Sequence, residues 1–242
     1  MLIKEKMKRK FLGVLPALLV CLCGCRGAVS DEHAVLLEVP FIDQRIQYPT
    51  GCECVSAVMA LQYLGYEISV DTFIDDYMEK GELPRNTEEG KIGPDPDRVF
   101  LGNPYTSEGY GCYAGAIQLG LERYLSEERP ERKLYESAVL RDVPVEELAE
   151  TYLKQGIPVI FWVGPRYEED LQPEVWTDPQ SGKTITWNYP EHCVVLVGYD
   201  QEHYYFNDPS RGAQVAWEKE DARAKYANQF SQAVVILPLS EK

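Results

Sequence analysis

The sequence predicts an α+β protein, because helical patterns fill its first half and strand patterns fill its second half. The two patterns do not alternate as they do in a βαβ chain, so we expect helices packed on an antiparallel sheet. Of the 242 residues, 45% are hydrophobic and 26% are charged. This is the ordinary balance of a protein with one sizeable core. No repeat or low-complexity block follows Val35, so we expect a single domain over residues 35–242.

The net charge is strongly acidic and limits the choice of partners. The chain has 24 Lys and Arg against 39 Asp and Glu, which gives −15. Binding to a nucleic-acid backbone requires clustered Lys and Arg, so we do not expect nucleic acid as a partner. The first ten residues are an exception, because they are strongly basic and therefore belong to a separate segment.

The amino-terminal segment has the pattern of an export signal. Basic residues 4–10 precede an uncharged apolar run over residues 11–24. A membrane-spanning helix needs about 20 residues, so this shorter run fits the hydrophobic region of a signal peptide. It ends in Leu22-Cys23-Gly24-Cys25, which resembles the lipobox of bacterial lipoproteins. We expect a signal peptide over residues 1–24, lipidation of Cys25, a tether over residues 25–34, and a domain held by the lipid on the extracellular face of the cell membrane.

Hydrophobic periodicity predicts the elements in chain order. After a short strand over residues 35–39, the strongest pattern is a helix over residues 52–64, which is apolar nearly all round and should be buried. Further helices are predicted over residues 70–78, 113–125, 145–154 and 218–227, and strands over residues 157–163, 193–197, 204–206 and 233–237. Two long loops remain, over residues 84–111 and 164–181. Aromatic residues in the first loop favour an ordered segment that could cover a substrate.

Cys52 is the candidate nucleophile, because it lies in the first turn of the helix predicted to be buried. Unpaired backbone N–H groups and the positive end of the helix dipole favour a thiolate there. Cys54 lies about 200° further round the helix, so one of the two thiols can face a cleft while the other packs. For Cys52 alone, an inert buried thiol explains the position equally well.

His192 is the candidate base. It opens an apolar strand, whereas His33 lies in the tether and His203 lies in a hairpin turn. An imidazole at the rim of a sheet is a common position for a catalytic base, although a hydrogen-bonded structural histidine fits it equally well. Trp187, five residues earlier, either forms a wall of the cleft or belongs to the core.

Asp208 is the candidate orienting group for this histidine. Strands over residues 193–199 and 203–207 would form a hairpin that places His192 opposite Asp208 or Pro209. Asp208 is the only carboxylate in residues 207–210, and Asp200 lies at the far end of the strand. A carboxylate beside one ring nitrogen would hold the other toward a thiol.

An amide before Cys52 could stabilise an oxyanion together with the Cys52 backbone N–H. Gln44 and Gln47 both lie on the approach to the helix, and either one could serve.

A zinc site is the competing reading of the same residues. Its ligands would be Cys52, Cys54, His192 and Cys193. Adjacent residues of a strand point to opposite faces, so His192 and Cys193 would not easily share a metal. We therefore expect neither a metal nor a cofactor. Cys54, Cys112 and Cys193 could form disulfides outside the cell, but an external location does not require them to.

Several segments in order resemble a family of bacterial papain-like cysteine peptidases, the stand-alone relatives of the bacteriocin-leader (double-glycine) peptidases. The segments are VPFIDQ at 39–44, YPTGCE at 48–53, EHCVVLVGYD at 191–200 and NDP at 207–209. The resemblance extends over residues 35–237. It implies a papain-like fold in which Cys52 is the nucleophile, His192 the base, Asp208 the orienting group and Gln44 the oxyanion amide.

The resemblance predicts a cysteine peptidase that hydrolyses amide bonds in a peptide or protein substrate. We expect it to act as a monomer. The alternative is a lipid-anchored binding module of the same fold that has lost catalytic activity.

Overall fold

The structure is a computed structural model, and it describes residues 34–127 and 134–239. The chain divides into residues 1–30 and residues 31–242, and every described residue belongs to the second unit. The expected signal peptide, the lipidation site Cys25 and almost all of the tether lie outside the described residues. Within the described residues, every helix is too short or too polar to cross a bilayer.

The elements follow one another along the described chain as short helices and strands. They are β1 (Val35–Leu36), α1 (Cys52–Tyr63), α2 (Val70–Thr72), a π-helical turn (Phe73–Tyr77), β2 (Lys80–Gly81), β3 (Arg85–Thr87), β4 (Gly90–Ile92), β5 (Phe100–Leu101), α3 (Ala114–Ser126), β6 (Tyr135–Arg141), α4 (Val145–Thr151), a 3₁₀ turn (Leu153–Gln155), β7 (Val159–Val163), a second 3₁₀ turn (Glu168–Asp170), β8 (Gln172–Thr177), β9 (Thr184–Tyr189), β10 (His192–Tyr199), β11 (His203–Asp208), β12 (Gly212–Glu218), α5 (Lys219–Ala227) and β13 (Gln232–Pro238).

An antiparallel sheet forms the centre of the molecule. Its strand order is β12-β11-β10-β7-β13-β6, and β1 pairs with the end of β10. Side chains alternate between the two faces of a strand, so β10 sends Cys193 and Val195 to one face and Val194 and Leu196 to the other. The first pair packs in the core cluster that contains α1 and α3, and the second pair packs in the cluster that contains α4 and α5. The predicted arrangement of helices on an antiparallel sheet is therefore confirmed.

Helix α1 is buried as predicted, with every residue from Cys52 to Leu61 inaccessible to solvent or nearly so. A helix that is apolar nearly all round must be surrounded by protein. It packs against β10 and β7 on one side and against α3 and the π-helical turn on the other.

Two predicted helices are only partly α-helical. Residues 70–78 form α2 and the π-helical turn, and residues 145–154 form α4 and a 3₁₀ turn. The buried positions still follow a helical pattern, because Val70, Phe73, Ile74 and Tyr77 all face the core. Hydrophobic spacing therefore located both segments but did not specify their backbone hydrogen-bond pattern. The strand predicted over residues 35–39 is also shorter, since β1 is Val35–Leu36.

The prediction of two long irregular loops is wrong in part. Residues 84–111 contain β3, β4 and β5, and residues 164–181 contain β8. A second sheet has the order β3-β4-β8-β9. Strands of two or three residues that contain glycines and charges show no hydrophobic period in the sequence. In addition, β8, one of the two partners of β4, lies far along the chain. Trp187 belongs to the small core beneath this sheet, where it is 1% exposed.

Candidate active site

The amino-terminal end of α1 places Cys52 against the first residues of β10. Cys52 is the first residue of the helix and is 5% exposed. Burial and the neighbouring carboxyls raise the pKa of the Cys52 thiol, and the backbone N–H of Cys193 acts less strongly to lower it. One turn later, Ser56 Oγ donates to the Cys193 carbonyl oxygen at 3.3 Å. The first turn of α1 is thus in contact with Cys193, the residue that follows His192.

His192 and Asp208 form a hydrogen-bonded pair across the β10–β11 hairpin. His192 Nε2 lies 2.8 Å from Asp208 Oδ1, and the Asp208 side chain is 1% exposed. The strands pair Val195 with Asn207, and an irregularity lies between Leu196 and Gly198. The structure therefore brings the His192 and Asp208 side chains together, but the predicted register is wrong: continued from the Val195–Asn207 pair, it places His192 opposite Ser210 rather than Asp208 or Pro209, because the turn joins Tyr199 to Tyr204.

Asp208 remains a carboxylate because of this neighbourhood. Burial by itself would raise its pKa, but the hydrogen bond and charge of His192 and the hydrogen bonds from Ser210 lower the pKa to about 2. Ser210 donates to Asp208 Oδ1 from both its hydroxyl, at 2.7 Å, and its backbone N–H, at 2.9 Å. The Ser210 hydroxyl also lies 3.3 Å from His192 Nε2.

The Cys52 thiol differs from the expectation based on its helix position. Its hydrogen bond runs to Glu53 Oε2 at 3.3 Å rather than to His192. Burial, followed by the charges of Glu53 and Glu191, raises its pKa well above the ordinary value. The expected stabilisation of a thiolate by the helix end is therefore outweighed by desolvation and by two carboxyl neighbours.

Glu53 and Glu191 form a carboxyl pair beside the thiol, and Glu191 is only half-buried. Glu53 is fully buried, and its Oε1 accepts the Cys112 N–H at 2.5 Å. Burial raises its pKa from 4.5 to about 7. Burial, and then the charge of Glu53, raises the pKa of Glu191 well above its ordinary value. Two carboxyls this close cannot easily both ionise, so at least one proton is retained near neutral pH.

The metal-donor atoms that the described residues bring together differ from the zinc set considered above. They are the Cys52 sulfur, one Glu53 oxygen and one Glu191 oxygen, all within 4.8 Å of one another. The four described cysteines, Cys52, Cys54, Cys112 and Cys193, are free thiols and all are buried.

Gln44 lies near the site, but its amide is turned toward the local backbone. Nε2 donates to the Tyr48 oxygen at 3.2 Å and to the Pro49 oxygen at 3.3 Å. The Gln44 backbone N–H donates to the Pro209 oxygen at 3.0 Å, which ties the turn to the loop after β11. An oxyanion role would require Nε2 to exchange one of these carbonyl partners. Gln47, the other candidate amide, is exposed.

Sequence reasoning missed three residues of this site, namely Glu53, Glu191 and Ser210. A charged residue within the nearly all-apolar pattern of α1 was one signal, because an ionisable side chain on such a helix must be buried. The Asp208-Pro209-Ser210 turn was another, since a serine two residues after an aspartate commonly bonds to it.

The chain is similar to several known proteins. The model of the Peptidase_C39 like family matches residues 36–234. The uncharacterised protein YvpB of Bacillus subtilis is 28% identical over 189 residues, which are 77% of this chain and 68% of YvpB.

Two solved structures are similar to the chain. One, described as a candidate C39-like peptidase from Bacillus anthracis, has a TM-score of 0.71 and 29% identity, and the match covers 86% of this chain and 99% of that one. The other is a double glycine motif protease from an AMS/PCAT transporter in complex with the leader peptide. It has a TM-score of 0.48 and 16% identity over 85% of this chain and 98% of that one. The papain-like α+β fold is confirmed, and the chain belongs to the Peptidase_C39 like family.

Proposed function

We propose that the protein is a cysteine-type peptidase with Cys52 as nucleophile, His192 as base and Asp208 as orienting group. The observation that carries this proposal is the 2.8 Å contact between His192 and a buried Asp208, next to the strand residue on which the Cys52 helix end is docked. A base held by a buried carboxylate beside a thiol is the arrangement that nucleophilic catalysis requires.

The proposed reaction is acyl transfer followed by hydrolysis. His192 takes the proton from the Cys52 thiol as the sulfur attacks the substrate carbonyl carbon. The tetrahedral oxyanion accepts hydrogen bonds from the Cys52 backbone N–H and from a reoriented Gln44 amide. His192 then gives its proton to the leaving amine, and a water that it deprotonates releases the acyl group. Because burial and the neighbouring carboxyls raise the pKa of the Cys52 thiol, the sulfur is protonated before the reaction, so proton transfer accompanies the attack.

A specific observation favours a second candidate, a binding module of the same fold without activity. The Cys52 sulfur is buried and bonds to Glu53 instead of to His192. In a protein that only binds peptides, the thiol could stay in this state permanently.

Thiol reactivity separates the two candidates. Wild type, Cys52→Ala, His192→Ala and the control Cys54→Ala are treated with a thiol-directed activity-based probe, and labelling sites are identified by mass spectrometry. We expect labelling at Cys52 that is lost in Cys52→Ala, slowed in His192→Ala and retained in Cys54→Ala. If Cys52 in the folded protein reacts no faster than in the denatured protein, the peptidase proposal is wrong.

The proposed location is the outer face of the cell membrane, with the domain tethered through lipid on Cys25. The basic leader followed by an apolar run and a lipobox-like sequence supports it. The proposed substrate class is peptide or protein, since the acidic chain disfavours tight binding of anionic polymers.

A further inference from the structure

A cleft of about 280 Å³ lies directly beside the histidine–aspartate pair. The ends of β7 and β10, the turn after β11 and helix α5 form its walls. The residues that matter for its chemistry are His192, Asp208, Arg211, Trp217, Lys225 and Glu191. Cys52 does not line it, so the cleft extends from the side of the histidine rather than from the nucleophile.

Two cations face this cleft in a chain whose net charge is −15. Lys225 forms no ion pair with the residues that the structure describes, and its Nζ lies 5.1 Å from the centre of the Trp217 ring. The nearest carboxylate of Arg211 is Asp208, whose Oδ2 lies 3.5 Å from Nε. Asp208 is already hydrogen-bonded to His192 through its other oxygen, Oδ1. Burial, and then the charge of Arg211, lowers the pKa of Lys225, whereas the charges of Asp221 and Asp208 act in the opposite direction, so Lys225 and Arg211 repel each other at this cleft.

The other charged groups around the cleft do not neutralise the pair. Glu191 lines it, but burial and Glu53 raise its pKa, which favours its neutral form. Arg166 and Asp221, which also act on Lys225, form their own ion pair at 2.7 Å. A site with two adjacent cations, one half-buried, attracts an anionic group.

We propose that this cleft binds a carboxylate on the leaving-group side of the substrate, between Lys225 and Arg211. The inference rests on the proposed peptidase function, because it uses the role of His192 in protonating the leaving amine. The chain that follows the scissile bond must then pass His192 and enter the cleft that this residue lines. The carboxylate belongs to an acidic side chain or to the free carboxyl terminus of the substrate.

The first experiment measures cleavage preference. Internally quenched peptide libraries vary the residues after the scissile bond, and kcat/KM is compared between Glu and Gln peptides of otherwise equal sequence. We expect at least a tenfold preference for Glu in wild type and a ratio near one in Lys225→Met and in Arg211→Gln. Lys225→Glu should favour Lys over Glu. The matched control is Lys219→Met on the same helix but outside the cleft, which should keep the wild-type ratio.

The source of the carboxylate is determined with paired peptides that end shortly after the scissile bond. If a free carboxyl terminus is the ligand, the peptide that has one is cleaved faster than the same peptide with an amidated terminus. The kcat/KM ratio of Glu to Gln peptides at internal positions then stays near one. Either preference, if abolished by Lys225→Met, supports the cleft as a carboxylate site. Equal rates for all acid and neutral pairs would overturn it.

A binding measurement separates failure of this inference from failure of the proposed function. Cys52→Ala protein is titrated with Glu-Ala amide, Gln-Ala amide and Ala-Ala with a free carboxylate, and binding is followed by isothermal titration calorimetry. A carboxylate preference that Lys225→Met removes supports the site even if no peptide is cleaved, in which case only the peptidase proposal fails. Equal binding of all three dipeptides, with cleavage intact, contradicts the cleft assignment alone.

Discussion

At the Cys52 sulfur, the field of the helix end opposes the effects of burial and neighbouring carboxyls. The helix end favours a thiolate, whereas desolvation and the charges of Glu53 and Glu191 favour the thiol, and the latter effects are larger. A nucleophile in this state depends on its base during attack. The proposed mechanism therefore requires His192 to be held in one orientation, and we propose that the buried Asp208 holds it.

Asp208→Asn should lower kcat/KM for a substrate peptide by about 10²–10⁴-fold. An amide can offer its N–H to the imidazole, which stabilises the wrong tautomer, and it cannot stabilise the imidazolium. Peptide hydrolysis by folded variant and wild type, compared at equal concentration, provides the measurement. Ser210→Ala, which removes one hydrogen bond to the same carboxylate, should have a smaller effect. An unchanged kcat/KM in Asp208→Asn would rule out Asp208 as the orienting group.

The Glu53 carboxyl should make stability depend on pH. Its pKa rises from 4.5 to about 7 on folding, mainly through burial. Between these values the folded state binds more protons than the unfolded state, so the free energy of unfolding falls as the pH rises through this window and stays lower above it. Glu53→Gln removes this titration and should show a smaller fall between pH 5 and pH 7.5 in urea unfolding.

The matched control for this experiment is Glu67→Gln, which changes an exposed glutamate. It should retain the full wild-type fall in unfolding free energy over the same pH range. If Glu53→Gln and wild type lose equal stability over that range, the buried carboxyl is not the titrating group.

Among the elements, the segment between β5 and α3 contacts both the residues before Cys52 and the carboxyl pair. Thr50 Oγ1, two residues before Cys52, donates to the Thr106 oxygen at 2.9 Å and to the Asn103 oxygen at 3.3 Å. Gly111 at the end of this segment has a φ of +121°, and a Cβ there would overlap both Glu53 Oε1 and Glu191 Oε2. The absence of a side chain at this position therefore lets the two carboxyls meet.

Gly111→Ala should destabilise the protein by about 1–3 kcal/mol and reduce peptide hydrolysis, because it combines a strained φ with displacement of the carboxyl pair. Gly90→Ala is the matched control, since Gly90 has a φ of +126° but nothing within 4 Å of the added Cβ. The difference between the two variants in urea unfolding isolates the clash. Equal losses of stability would indicate that only the φ strain matters.

The hairpin that carries His192, the candidate base, could be predicted from the sequence because its two strands follow each other in the chain. A strand, a short turn and a second strand form the β10–β11 hairpin, so counting residues across the turn predicted that His192 and Asp208 lie near each other, although the observed register is shifted from the predicted one. The second sheet could not be predicted from the sequence, because β4 pairs with β8 through Ile92 and Thr177, which are far apart in the chain. Local patterns carry no information about such a partner.

For the whole molecule, the charge is divided between a basic amino-terminal segment and a more acidic remainder. If Cys25 is lipidated, mass spectrometry of the membrane fraction should find an acylated amino-terminal Cys25 peptide. Cys25→Ser should abolish this peptide, whereas Cys23→Ser should retain it. Stable anchoring needs more than one acyl chain. Because the lipid on Cys25 is the proposed anchor, its loss should release the protein from the membrane. An unmodified, uncleaved amino terminus in wild type would contradict the proposal.

The sequence by itself determined the α+β class, the buried helix that begins at Cys52 and the hairpin that joins His192 to Asp208. Each of these depends on hydrophobic spacing or on residues close together in the chain. Only the tertiary structure decided that Glu53 meets Glu191 beside the thiol, that Gln44 turns toward Tyr48 and Pro49, and that Lys225 and Arg211 share a cleft with the histidine. Burial, desolvation and the approach of distant charges arise when the helices close over the sheet, so no local pattern encodes them.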